Sequence, residues 1–275
     1  MSDLIEAFKE NLIIIRSLSN NTVQAYIKDI LDFELFLKSI KIDILSCDTQ
    51  SLLRYLSSIK NPRTQNRHLS SINTFYKFAQ HYYNVDNVPK GSYAKLQKKL
   101  PSYLDSEAIF NNLELIPKDT ILGKRDYAII LFLYATGVRV SELINIKTQD
   151  INDNWIKVVY AKGSKQRVIP IANIALKALK EYLNSRNNNS EYLFLNYKGG
   201  SISRISIFNI TQKYFGVSPH IFRHSYATSL ILGGADLIVV SELLGHSNLE
   251  TTQIYTHIEQ KHLKETIDSF HPLGK

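Results

Sequence analysis

The side chains of this sequence whose types and spacing could do chemistry are arginines and histidines. Arg139 stands in the run TGVRVSEL and Arg223 in HIFRHSYATSL. Each lies at or near the start of a helical pattern, where backbone N–H groups add partial positive charge. Guanidinium forks match phosphate oxygens bidentately and keep their charge at every accessible pH, so such a pair suits a clamp on a phosphoryl group. His220 and His224 lie four apart on one helical face, which could suit Zn²⁺, but no carboxylate or thiolate follows at ligand spacing. There is no Gly-rich phosphate cradle of the Walker type, no HExxH motif and no EF-hand loop, and the acids are scattered without a DxD-like cluster for Mg²⁺. If the chain breaks phosphodiester bonds, the expected route uses no metal and no cofactor. Such a route needs a nucleophile, fixed cations around a pentavalent phosphorus, a proton acceptor and a proton donor for the leaving oxygen.

The charge distribution indicates where a polyphosphate would lie. The 275 residues carry 33 Lys and Arg against 25 Asp and Glu, a net charge of +8. The stretch 54–99 holds nine bases (Arg54, Lys60, Arg63, Arg67, Lys77, Lys90, Lys95, Lys98, Lys99) and one acid, Asp86, so the rest of the chain is balanced. A basic stretch on a neutral body fits either a nucleic-acid partner or a solvated helix face, and composition alone leaves both open. The single cysteine, Cys47, excludes an internal disulfide and a thiolate metal cage and suits a reducing cytoplasm. The longest apolar run, 127–135, has nine residues where a bilayer span needs about 20, so it reads as a buried helix and no membrane role is expected. The opening MSDLIEAFKE lacks the basic and apolar regions of a secretory signal, and a cytoplasmic location is expected.

These residues must be positioned by mainly helical elements, an α+β chain in which helices dominate. Leu4, Phe8, Leu12 and Ile15 recur at helical spacing; residues 19–22 offer N-caps for a second helix; residues 50–59 and 64–83 give a third and a fourth. That predicts an N-terminal helical bundle over 1–84 with one basic side. Residues 85–104, punctuated by Pro89, Gly91 and Pro101, read as a basic linker. A second, mostly helical domain spans 105–275. In it Gly137 caps a helix, 155–162 and 167–171 form a hairpin, and 192–195 is expected to supply the third strand of a small antiparallel sheet. Helices are expected over 174–186, 205–214, 220–232, 238–244 and 251–264, and residues 259–270 are amphipathic.

Four segments, ATGVRVSEL (135–143), AKGSKQRVIPI (161–171), HIFRHSYATSLILGGADL (220–237) and LLGHSNLETTQIYTH (243–257), resemble those of the tyrosine recombinases (the phage integrase family), especially the Xer branch. They occur in the family's order and separation. The resemblance extends to LSNNTVQAYIKDILDF (18–33) and RTQNRHLSSINTFYKF (63–78), so it covers most of the chain. It implies six catalytic residues. Tyr255 would be the nucleophile that forms a 3′-phosphotyrosyl bond, and Arg139 and Arg223 the clamp on the non-bridging oxygens. Lys162 would protonate the departing 5′-oxygen, His220 would accept or share the Tyr255 proton, and His246 would donate to a phosphate oxygen. Glu142 reads as a partner that orients Arg139, and His224 as packing or support.

The resemblance also implies double-stranded DNA with inverted half-sites as substrate, resolution of chromosome or plasmid dimers at a dif-like site, and a homotetramer or heterotetramer on synapsed DNA. In that assembly the 259–270 helix docks into a neighbouring subunit. A septal DNA translocase is a candidate activator. The ending HPLGK departs from the family's more usual HPRA-type ending, which bears on partner choice more than on chemistry. Arg54, Arg63, Gln65, Asn66, Arg67, Lys77, Lys95, Lys98 and Lys99 are the candidate DNA-binding residues, with Arg63, Gln65, Asn66 and Arg67 offered for base-edge readout. The alternatives are an integrase or resolvase of a mobile element, a type IB topoisomerase, and a non-catalytic DNA-binding architectural protein.

Overall fold

A computed structural model of the chain describes residues 2–16, 18–96, 103–159, 166–186, 189–245 and 260–274. The chain divides into two compact units, Met1–Lys99 and Leu100–Lys275. Among the described residues no helix is long and apolar enough to cross a membrane.

The first unit is built from α1 (Ser2–Ile14), α2 (Asn20–Ser39), α3 (Thr49–Ser58) and α4 (Pro62–Tyr83). Their starts follow from side chains that accept the free N–H groups of a first turn. Ser19 accepts from Thr22, Asp48 from Ser51, and Asn61 from Arg63 and Thr64. Pro62 does not simply interrupt the chain: it occupies the first turn of α4, where no N–H is needed. Apolar stripes from all four helices meet in one core of Phe8, Ile30, Phe33, Leu37, Leu52, Ile72, Phe75 and Tyr76, with Phe8 set edge-on to Phe75 at 5.3 Å. Each such side chain contributes roughly 1.5–3 kcal/mol by leaving water.

The segment after α4, read from sequence as the start of a linker, belongs to this unit. Val85 and Pro89 are buried, the Lys90 N–H donates to Thr49 Oγ1 at 3.1 Å, and Ala94 is bonded at both its backbone groups to the Asn66 side chain. Local composition gave no sign of this, because the partners lie on α3 and α4.

The second unit is centred on α6 (Ile121–Thr136), preceded by α5 (Ser106–Glu114). Residues 128–136 of α6 are buried without interruption, as expected for a helix that is apolar on every side. Around it stand α7 (Val140–Leu143), α8 (Asn173–Ser185), α9 (Arg204–Phe215), α10 (Pro219–Gly233), α11 (Leu237–Leu244) and α12 (Gln260–Phe270). An antiparallel sheet of β1 (Ile151–Asn152), β2 (Trp155–Val159) and β3 (Gln166–Pro170) runs in that order, with Ile156 opposite both Ile151 and Ile169.

The hairpin is where the sequence places it, but the third strand is not. It is β1, joined to β2 by a tight turn in which Asp153 takes a φ of 52°. Residues 192–195 make only isolated bridges, from Tyr192 to Lys147 and from Leu195 to Ser201. Their carbonyls are taken up elsewhere: Arg186 donates to Tyr192 and Leu193, the Ile202 N–H to Phe194 and Arg125 to Leu195. The part of α12 that is described lies on its own unit rather than extended towards another, with Leu263, Ile267, His271 and Leu273 buried in the core around α10, α11 and β3. The i, i+4 pair Leu263 and Ile267 supplies the apolar stripe that makes this docking favourable.

Candidate functional site

Arg139 is brought into place by a change of helix. α6 ends at Thr136, and Gly137 turns the chain with a φ of 59°. After buried Val138, Arg139 becomes the residue that opens α7. Glu142, one turn on, reaches back. Its Oε2 accepts the Arg139 backbone N–H at 2.7 Å, and its Oε1 accepts from the Arg139 guanidinium at 3.0 Å. The orienting role read for Glu142 is thus visible as two bonds to one residue.

Arg223 comes from the N-terminal part of α10, which Pro219 opens. Its Nη1 donates to the Gly137 carbonyl at 2.6 Å and its Nη2 to the Leu244 carbonyl at 2.7 Å. Arg139 Nη2 stands 3.4 Å from the next carbonyl, that of Gly245, a long contact. The two arginines therefore converge on the C-terminal end of α11. Carbonyls at a helix C-terminus carry partial negative charge, which guanidinium groups complement. His220 lies one turn before Arg223 on α10 and is exposed, as is His224. Lys162, His246 and Tyr255 lie outside the described residues, as do Lys98 and Lys99.

One residue of this cluster escaped the sequence reading. Arg167, on β3, has 9% of its surface exposed. Its Nη2 and Nη1 donate to Glu142 Oε2 and Oε1 at 2.9 and 3.1 Å, and its Nε donates to the Leu243 carbonyl at 2.9 Å. The signal lay in the strand alternation: Arg167 shares a face with Ile169, and a charged side chain on an inward face requires an internal partner. Burial alone would push the Glu142 carboxyl pKa up. Hydrogen bonds and charge from Arg167, joined by bonds from Arg139, outweigh it and hold the carboxyl below the ordinary glutamate range.

In the first unit Arg54, Arg63, Lys77 and Lys95 are exposed. The row offered for base readout is not uniformly outward. Gln65 donates to the Leu56 carbonyl at 2.9 Å and Asn66 is committed to Ala94, while Arg67, itself exposed, pairs with buried Asp29, which also accepts from Ser71 at 2.7 Å. Successive helix positions rotate by about 100°, so neighbours in sequence cannot share one face, and Gln65 and Asn66 turn towards α3 and the 85–96 segment.

A helical unit is thus followed by a mixed unit that gathers guanidinium groups on a helix end, an arrangement whose charge suits a phosphoryl group. The chain belongs to the phage integrase family, the tyrosine recombinases: residues 105–262 match that family and residues 5–82 match the N-terminal SAM-like domain of phage integrases. It is 36% identical to tyrosine recombinase XerC of Myxococcus xanthus, over 99% of this chain and 98% of the relative. It is 34% identical to tyrosine recombinase XerD of Staphylococcus haemolyticus, over 99% of each. The family makes it an enzyme that cuts and rejoins DNA in site-specific recombination. Among solved structures, XerH recombinase bound to its difH substrate is 23% identical with a TM-score of 0.66, covering 87% of this chain and 78% of that one. A lambda integrase tetramer bound to a Holliday junction is 16% identical with a TM-score of 0.72, covering 94% and 80%. Likeness at this level of identity establishes the shared fold.

Proposed function

We propose that this chain is an Xer-type recombinase that exchanges DNA strands through Tyr255, with Arg139 and Arg223 as the phosphate clamp. The observation that carries the reading is the convergence of those two guanidinium groups on consecutive carbonyls at the end of α11. The Tyr255 oxygen attacks the scissile phosphorus; a bond to the 3′-phosphate forms as the bond to the 5′-oxygen breaks. Lys162 gives that leaving oxygen its proton, His220 takes or shares the phenol proton, and His246 donates to a non-bridging oxygen. One phosphodiester replaces another, so resealing needs no nucleotide, and fixed cations do the work a metal would otherwise do. With ordinary pKa values near 10 for tyrosine and 6.5 for histidine, bare proton transfer is uphill by about 5 kcal/mol. The clamp must supply part of that by stabilising the phenolate and the phosphorane.

The biological reading is resolution of chromosome or plasmid dimers in the cytoplasm at a dif-like site of two inverted half-sites. The partners are a second duplex, a homotetramer or heterotetramer joined by α12 once it leaves the core of its own unit on DNA, and a septal translocase as candidate activator. Relatives named XerC and XerD that align over nearly the full chain support it. The test uses a nicked duplex that traps the covalent adduct. Wild type is expected to give an SDS-resistant adduct that survives EDTA, and Tyr255→Phe to bind DNA and give none. An adduct that persists in Tyr255→Phe removes Tyr255 as nucleophile, and loss of the wild-type adduct in EDTA restores a metal.

A further inference from the structure

Glu142 has two guanidinium partners, and only one of them belongs to the proposed clamp. Arg167 is the other. Its fork spans both Glu142 oxygens while its Nε holds Leu243. One side chain thus joins β3 to α7, where Arg139 sits, and to the end of α11, where Arg223 is anchored. Three successive carbonyls, those of Leu243, Leu244 and Gly245, face Arg167, Arg223 and Arg139 in turn. A guanidinium cannot shed its proton when buried, and a lysine could not span the same three acceptors, so the connection depends on the planar fork.

We infer that Arg167 is a positioning residue for strand cleavage, setting the separation of the two clamp arginines through Glu142 on one side and Leu243 on the other. The inference rests on the reading of Arg139 and Arg223 as that clamp. Without Arg167, Glu142 is held by Arg139 alone and is free to swing with it, and the end of α11 loses the guanidinium bond that joins the Leu243 carbonyl to β3. Misplacing a catalytic group by about 1 Å can cost on the order of 100-fold in rate.

The experiment measures covalent adduct formation in a single turnover at saturating protein on the nicked duplex, with DNA affinity titrated separately and folding followed by thermal unfolding. Arg167→Gln is expected to slow the saturated rate by about 100-fold with affinity changed less than about threefold. Arg167→Lys, which restores charge without the fork, should recover about tenfold of that loss. In an Arg139→Lys background, Arg167→Gln should cost about tenfold rather than about 100-fold, because one of the two groups it positions is already compromised. A purely structural role predicts the same fold-loss in both backgrounds, and that result overturns the inference. So does a folded Arg167→Gln protein that cleaves at the wild-type rate. Should Arg167→Gln fail to fold, Arg167→Lys carries the test: a rate about tenfold below wild type supports the inference and an unchanged rate overturns it. If Arg139→Lys alone cleaves like wild type, the clamp reading has failed; if only the Arg167 variants do, the inference alone has.

Discussion

Glu142 shows how one carboxylate can set both the stability and the geometry of a site. Its two oxygens receive three guanidinium bonds and a backbone N–H, all inside the second unit. Removing one member of a buried ion network leaves the others uncompensated, so Glu142→Gln is expected to lower unfolding free energy by about 3 kcal/mol at neutral pH, read by urea denaturation. The pH dependence follows from the lowered carboxyl pKa. The unfolded glutamate titrates near 4.3, and the folded one titrates below that. The network's contribution is therefore complete above about pH 5 and is lost as pH falls through the folded value. The difference between wild type and Glu142→Gln should be flat from about pH 8 to 5 and shrink below about pH 4. A difference that stays constant into strong acid would mean that the carboxylate charge is not what holds the arginines.

Among the elements, the joint between α6 and α7 is the most demanding, because it must end a buried helix and present Arg139 within three residues. Gly137 meets that demand twice. Its φ of 59° disfavours any side chain, and a Cβ there would stand 2.5 Å from Tyr226 Cδ1. Gly216 closes α9 with a φ of 65° but has nothing within 4 Å of the same position. Comparing the two separates backbone strain from crowding. Gly216→Ala should cost about 1 kcal/mol and Gly137→Ala about 3 kcal/mol. Equal costs would show that Tyr226 yields freely.

This joint was half legible in the sequence. Gly137 announced itself as a cap, as did Ser19, because caps are local chemistry written in one or two residues, whereas Asn61 and Asp105 are caps that only the structure shows. The four-residue α7 has no period to detect, and β1 was hidden because two residues carry no alternation. Residues 192–195 look like a strand by composition, but only the folded chain shows Arg186 occupying the Tyr192 and Leu193 carbonyls and Arg125 that of Leu195. Arg139 and Arg223 could be picked out from their motifs, whereas strand alternation marks Arg167 only as inward-facing and does not name its partners on α7 and α11.

For the whole molecule, the electrostatic question is where the basic excess of 54–99 goes. All of it lies in the first unit, whose limit is Lys99. Within that unit the candidate DNA-binding side chains divide into two groups. Arg54, Arg63, Lys77 and Lys95 are exposed, as is Arg67 beside its partner Asp29, whereas Gln65 and Asn66 are occupied by backbone groups of the same unit. If exposed cations neutralise phosphates, each releases counterions, and log affinity falls with log salt by about 0.9 per contact. Arg63→Gln with Lys77→Gln should then reduce that slope by about 2, weakening binding to all duplexes alike. Asn66→Ala should leave the slope unchanged and instead lower the stability of the first unit by roughly 1–2 kcal/mol, because Ala94 loses both of its side-chain bonds. Titrations at several salt concentrations, paired with urea denaturation, read both effects. A slope that drops for Asn66→Ala but not for the double variant would move the DNA contact from the exposed cations to the α4 face now turned towards residues 85–96.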